Sequence, residues 1–274
     1  MQRFLVLICL SLFFVQCKNN EEANTDQQML PVESDGGIGD GAPSIDQAFI
    51  RTVENAHHKK EFMNEEAVSF DIQLDFGGQE RVSGTLTMLT NSGKIRLDKK
   101  DGSQLIFDGK ELYLTPEDAD DKNARFDAFT WAYFFGMPYK LNDSGTNVQP
   151  LGEIQLNETL RDAFKMTFKA GTGDSSDDWY VVYLNKDKTL NTAGYIVTFG
   201  KTKEKAEAEP HAIAYSNYKT FEGIPLATNW KFYNWTQENG IEGSPIGEAN
   251  LSNFKFISPS KDFFNKPPSS KIIK

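Results

Sequence analysis

The chain has 274 residues, with 29 Lys and Arg against 39 Asp and Glu and a net charge of −10. That acidity argues against nucleic acid as a partner and against electrostatic adhesion to anionic headgroups. The two cysteines are Cys9 and Cys17, both so close to the start that no disulfide staples the rest of the chain.

Arg3 precedes an apolar run from Phe4 to Val15. The run is too short for a membrane-crossing helix, which takes roughly 20 residues, and it suits a secretory h-region. It ends at Cys17, where polar sequence begins at once. The pattern resembles a bacterial lipoprotein signal, in which residues 1–16 are removed and Cys17 becomes the acylated first residue. Phe14 and Gln16 depart from the Leu and small residue usual in that box, and an ordinary signal peptide cut elsewhere is the alternative. Removal would take Cys9 away and commit Cys17 to lipid, leaving no thiol for catalysis or metal. The place expected is the cell envelope, anchored by lipid, with the outer membrane favoured. Residues 17–43 then hold the lipid and a flexible, Gly- and Asp-rich tether.

The remaining length suits one domain with a sizeable core. A helix is expected over 44–62: Ser44 and Gln47 fit a capping box, and Ala48, Phe49, Thr52, Val53 and Ala56 form a stripe at helical spacing. The period then falls to two. In "VSFDIQLDF" the residues Val68, Phe70, Ile72, Leu74 and Phe76 alternate with Ser69, Asp71, Gln73 and Asp75, a strand with one buried face. Turn signals at Gly77-Gly78, Ser92-Gly93, Asp101-Gly102 and Gly109-Lys110 divide the next segments into an antiparallel meander.

An acidic loop from Glu117 to Asp121 interrupts it. The block "FTWAYFFGMPYKL" (129–141) follows, and residues 124–135 lack Gly, Pro and strict alternation. This reads as a short helix ended by Gly136 and Pro138, with Gly136 a candidate hinge. Strands resume around Phe164, Met166 and Phe168, then at "WYVVYLN", "GYIVTFG", "HAIAYSNYKTF", "LATNWKFYNW" and "ANLSNFKFI". Residues 259–274 are polar and Pro-rich and read as a loose tail. The fold class is mainly β: an antiparallel open half-barrel or barrel of ten or eleven strands over residues 44–258, with an N-terminal helix and a short helical lid.

A one-faced sheet must cover its apolar side. Phe70, Phe76, Phe107, Phe164, Phe168, Phe199 and Phe232 are expected to point inward over only two helices. Such an interior is either packed by bulky side chains or held open for an apolar guest, and composition does not choose between them. The stretches "LIFDGKELYLTPED", "YFFGMPYKLNDSG", "DDWYVVYLNKDKTL" and "YSNYKTFEGIPLATNWKFYNW" resemble a family of uncharacterised bacterial lipoproteins over roughly residues 44–258. In pattern it is distantly similar to the lipoprotein-carrier fold of the LolA/LolB type, an open half-barrel with helices lidding an apolar cavity. The family often has a His-Gly pair after the first helix. This chain reads "NAHHKK" there, which weakens any functional weight on His57 or His58.

The resemblance implies an apolar ligand, a lipid or acyl chain, held by Phe126, Phe129, Trp131, Tyr133, Phe134, Met137, Phe164, Phe168 and Phe232. The protein would be a monomeric carrier or chaperone without cofactor or catalysis. The rival reading is an interaction module with a filled core that grips protein or glycan through exposed Trp179, Trp230 or Trp235. A hydrolase is a third reading, but no nucleophile elbow, zinc-protease motif or phosphate loop occurs. His57 and His58 are adjacent, so on a helix they cannot share one metal; His211 opens a strand and reads as a surface residue. The acidic clusters at 117–121 and 174–178 lack the spacing of a calcium loop and read as solvated turns.

Overall fold

The computed structural model describes residues 43–120 and 122–274. The expected signal peptide, Cys17 and the expected tether up to residue 42 lie outside them. Asp46–Lys274 forms one compact unit, and of the unit ahead of it only Pro43 to Ile45 are described.

The expected first helix is two: α1 (Ile45–Ala56) and α2 (Lys59–Asn64), broken at His58, whose φ of 51° is left-handed. Histidine tolerates that conformation better than most residues, and it ends a helix. The buried stripe of α1 is Ile50 and Val53 with half-buried Phe49; Ala48 and Thr52 are exposed, one register step from expectation.

Among the described residues thirteen strands form a single antiparallel sheet. Five come before the aromatic block: β1 (Ala67–Phe76), β2 (Gln79–Leu89), β3 (Ile95–Lys99), β4 (Gln104–Phe107) and β5 (Leu112–Thr115). Seven follow it: β6 (Thr146–Leu156), β7 (Thr159–Phe168), β8 (Tyr180–Leu184), β9 (Leu190–Tyr195), β10 (His211–Phe221), β11 (Ile224–Thr236) and β12 (Gly240–Ile257). The last is β13 (Lys271–Ile273). The order across the sheet is β13-β5-β4-β3-β2-β1-β12-β11-β10-β9-β8-β7-β6. Two meanders are thus joined where β1 pairs with β12, Ala67 opposite Ile257 and Phe76 opposite Gly247. Gly247 is needed there, because a Cβ would lie 2.6 Å from the Phe76 ring. The sheet stays open, with β13 and β6 as its edges.

Strands β6 and β13 account for the excess over ten or eleven. β6 is mostly half-buried or exposed and carries Pro150 and a register shift between Pro150 and Gly152. A bulged, proline-bearing strand suits an edge and shows no alternation to read. The tail is not loose. Ile106 and Tyr113 are buried on the sheet's outer side, and residues 260–273 run back over this region. Arg96 donates to the Phe263 carbonyl at 3.0 Å with its guanidinium 4.8 Å from the Phe263 ring, Phe264 is buried, and Lys271–Ile273 pairs with Leu114–Leu112.

The inner face holds the main core. Val68, Phe70, Ile72 and Leu74 of β1 are all buried, as their alternation requires. They pack with Leu86, Leu97, Phe164, Val182, Ile213, Trp230 and Phe232. Every residue of β8 is buried, because the outer face over β7–β11 has its own apolar cluster of Leu156, Ala163, Val181, Tyr183, Ala212 and Trp235. Trp235 lies on Gly194, where a Cβ would come within 2.7 Å of the indole. Asn157, between β6 and β7, clasps Ile241 of β12 by donating to its carbonyl at 2.9 Å and accepting from its N–H at 3.0 Å.

The aromatic block is α3 (Ala124–Gly136), running directly into a 3-10 turn at Met137–Tyr139. Gly136 has a helical φ of −78° and the helix passes through it. A further short helix, α4 (Lys203–Glu207), was not anticipated; Thr202 caps it by accepting from the Lys205 N–H. The chain leaves the sheet after β5, beside one edge, and re-enters at β6, the other edge. Helix α3 lies on that crossing and packs over β2, β3 and β4.

Candidate functional site

Helix α3 is apolar on most of its circumference, yet its two sides differ. Asp127, Trp131, Phe134 and Phe135, at helical spacing, are buried. Asp127 has no exposed side-chain surface; Arg81 of β2 reaches it at 2.8 Å and Lys99 of β3 at 3.1 Å, and the Trp131 indole N–H donates to Oδ1 at 3.1 Å. Trp131 and Phe134 pack on Phe232, with ring centroids 6.1 and 6.0 Å away, and Phe135 on Phe70 at 4.4 Å. The Tyr215 hydroxyl donates to the Phe134 carbonyl at 3.1 Å, satisfying an acceptor that the helix end leaves open.

The other side, Phe126, Phe129, Thr130 and Tyr133, is half-buried and forms one wall of a cleft of about 600 Å³. Ile95 and Phe107 wall it from the β3–β4 side; Phe168, Tyr180, Tyr195 and Val197 from the β7–β9 side. The rings are in mutual contact: Tyr133 to Tyr180 at 5.6 Å, Phe168 to Tyr180 at 6.1 Å, Tyr180 to Tyr195 at 6.1 Å, and Phe107 to Phe129 at 5.1 Å. Burial pushes the hydroxyls of Tyr133, Tyr180 and Tyr195 well above the usual tyrosine range, so they stay neutral.

The polar lining is organised in pairs. Arg125 bridges the cleft with a bidentate contact to Asp174 at 2.6 and 2.7 Å, and Lys140 pairs with Asp143 at 3.0 Å. Asp178 is half-buried; its Oδ1 accepts from the Thr198 N–H and hydroxyl, both at 2.7 Å. Burial, and then the neighbouring Asp177 charge, raise its pKa against those two hydrogen bonds. Lys110 is exposed at the rim, and among the described residues its ammonium has no partner.

Of the residues expected to bind, Phe126, Phe129, Tyr133, Phe134 and Phe168 line the cleft. Trp131, Met137, Phe164 and Phe232 do not: they are packed in the core. Phe199, expected inside, is 42% exposed at the rim beside Phe126. Tyr180, Tyr195 and Asp178 were missed. The run "WYVVYLN" reads as a strand, but it is apolar throughout and does not say which face Tyr180 takes; the cross-strand pairing of Tyr180 with Tyr195 is set by register. The strand around Tyr195 begins at Leu190, earlier than "GYIVTFG" suggests.

Trp230 and Trp235 are each 1% exposed, so they cannot serve as an exposed aromatic grip. Trp179 is half-buried and its indole N–H donates to Glu207 of α4. His57 is buried and its Nε2 accepts the Leu190 N–H at 3.0 Å. Burial lowers its pKa to about 3, which keeps it neutral for that role. His211 is half-buried rather than at the surface. Among the described residues no group of three or more His, Cys, Asp or Glu side chains is placed to hold a metal, and no helix is long and apolar enough to cross a membrane.

The architecture matches known structures where sequence does not. A LolA superfamily protein from Nitrosomonas europaea superposes with a TM-score of 0.52 at 10% identity, over 81% of this chain and 97% of that one. The fold is LolA-like. A DUF1329 family protein from Desulfovibrio piger gives a TM-score of 0.44 at 14% identity, over 80% of this chain and 97% of that one. The lipoprotein LppX from Mycobacterium tuberculosis gives 0.28 at 11% identity, over 78% and 98%. Of these three the first carries the fold assignment. No protein-family model matches the chain, and no curated protein is similar to it in sequence. In this LolA-like frame the cleft lies against the outward side of the crossing helix, while the inward side fills the half-barrel.

Proposed function

We propose that the chain is an envelope lipoprotein, anchored through Cys17, that binds an apolar ligand such as a lipid or a single acyl chain and acts as a carrier or chaperone for it. The observation that carries the reading is the aromatic cleft: about 600 Å³ of space walled by Phe126, Phe129, Tyr133, Phe168, Tyr180 and Tyr195. That volume is in the range that buries one small ligand, roughly 300–1,000 Å³. Driving force would come from apolar surface removed from water, about 25 cal/mol per Å² before ordering costs. The LolA-like fold supports a binding role, and the half-buried outward face of α3 supplies the contact surface. The role needs no chemical step and no cofactor. The burial of Trp230 and Trp235 speaks against the rival aromatic-grip module.

The test is binding of an apolar fluorophore to the purified full chain, with native mass spectrometry of co-purified lipid. Wild type should enhance the fluorescence. Phe129→Asp should abolish the enhancement and leave the circular-dichroism spectrum unchanged. An unaltered signal in Phe129→Asp would show that the probe binds elsewhere. Phe134→Asp is a poor choice because Phe134 also packs on Trp131, Tyr195 and Phe232. Palmitate labelling that persists in Cys17→Ala would overturn the anchor.

A further inference from the structure

We propose that the cleft accepts a ligand whose head carries a protonated amine, and that Asp178 receives it. The inference rests on the binding role above and names the head group of the ligand. Among the described residues three carboxylates line the cleft: Asp143, Asp174 and Asp178. Two are neutralised by the chain itself, Asp174 by Arg125 and Asp143 by Lys140. Asp178 is not. Among the described residues no Lys or Arg pairs with it, and the charge that acts on it is the like charge of Asp177.

Its geometry is nevertheless fixed. Thr198 holds Oδ1 with two donors, and Oδ2 has no hydrogen bond from the described residues. A half-buried carboxylate without a counter-charge is costly, and the cost is relieved when a cation arrives. The surroundings favour the same sign. Asp178 stands two residues before Tyr180, and its charge is felt by the Tyr133 and Tyr180 hydroxyls. Tyr133, Phe168 and Tyr180 form a contiguous ring cluster, and ring faces attract ammonium groups. An aliphatic tail along Phe126 and Phe129 with an ammonium at Asp178 would satisfy both halves of the wall. The unpaired Lys110 would favour an acidic head instead. It is exposed on a surface turn and keeps its hydration, whereas Asp178 has already been stripped of part of its water.

The test compares three probes of equal chain length, dodecylamine, dodecanol and dodecanoate, as competitors of an apolar fluorophore on the purified full chain. The expected result is that the amine binds about tenfold tighter than the alcohol. Asp178→Asn should erase that preference with dodecanol affinity unchanged, which also shows that the cleft is still folded. Thr198→Val should lower the preference a few-fold, since the backbone donor remains. An amine no tighter than the alcohol, or a preference that survives Asp178→Asn, overturns the inference and leaves the apolar cleft standing. Dodecanoate as the tightest ligand overturns it in favour of Lys110. Failure of all three probes to compete sinks the binding role together with the inference.

Discussion

On the inward side of α3, Asp127, Trp131 and Phe135 are locked between strands; on the outward side, Phe126, Phe129 and Tyr133 face a cleft. Both sides are aromatic, so hydrophobicity does not separate them. What separates them is the partner. The inward side meets side chains that match it, including Arg81 and Lys99 converging on the single carboxylate Asp127. The outward side faces residues of β3–β4 and β7–β9 across open space. A plugged interior and the wall of an open cleft are therefore two faces of the same helix.

The largest expected effects come from the inward face. Asp127→Ala strands Arg81 and Lys99 beside a buried vacancy and should cost about 3–5 kcal/mol. Trp131→Ala should cost a similar amount, about 3–5 kcal/mol, through the cavity it leaves. Urea midpoints measure both, and a loss below 1 kcal/mol in either would show that the inward face is not the packed one.

Next comes pH. His57 has an ordinary pKa of 6.5 and about 3 when folded. The unfolded chain therefore binds its proton first, and stability is full above 6.5 and falls as the pH drops from there towards 3. The loss should reach about 2 kcal/mol at pH 5. Denaturant titrations at pH 7 and pH 5 check it. His57→Gln should remove most of that difference, while half-buried His211, also shifted down by burial, leaves a smaller slope of the same sign. This measurement sharpens the comparison by perturbing the packed core beyond the C-terminal end of α3, where the His57 ring lies 6.2 Å from that of Tyr139: probe affinity at pH 5 should track the folded fraction only.

The outward face should respond oppositely. Phe129→Ser should cost about 1 kcal/mol of stability or less yet weaken fluorophore binding by about tenfold or more. Equal losses of stability on the two faces would erase the distinction. The smallest effect belongs to the Arg125–Asp174 pair. Its side chains are 29% and 38% exposed, so Arg125→Ala should change stability by under about 1 kcal/mol, and salt should shrink even that.

Much of the fold is legible residue by residue. The alternation Val68, Phe70, Ile72, Leu74 announces a one-faced strand, paired turn residues announce the meander, and the unbroken run before Gly136 announces α3. Strand β6 announces nothing: "TNVQPLGEIQL" has little to bury because it is an edge. β13, only three residues long, is too short to read, and its partner β5 lies more than 150 residues earlier in the chain. At the site, the aromatic block is plain in the sequence, but Trp131 and Met137 of that block, like Phe164 and Phe232 outside it, are packed in the core rather than in the cleft, and Asp178 is hidden among acidic turn residues.

The sequence by itself determined the class of most elements, since periodicity and turn chemistry are properties of a few neighbouring residues. Only the tertiary structure decided which side of α3 is filled and which is left open. That depends on β1 pairing with β12 and on the register of β8 against β9, contacts between distant segments whose geometry no local pattern encodes.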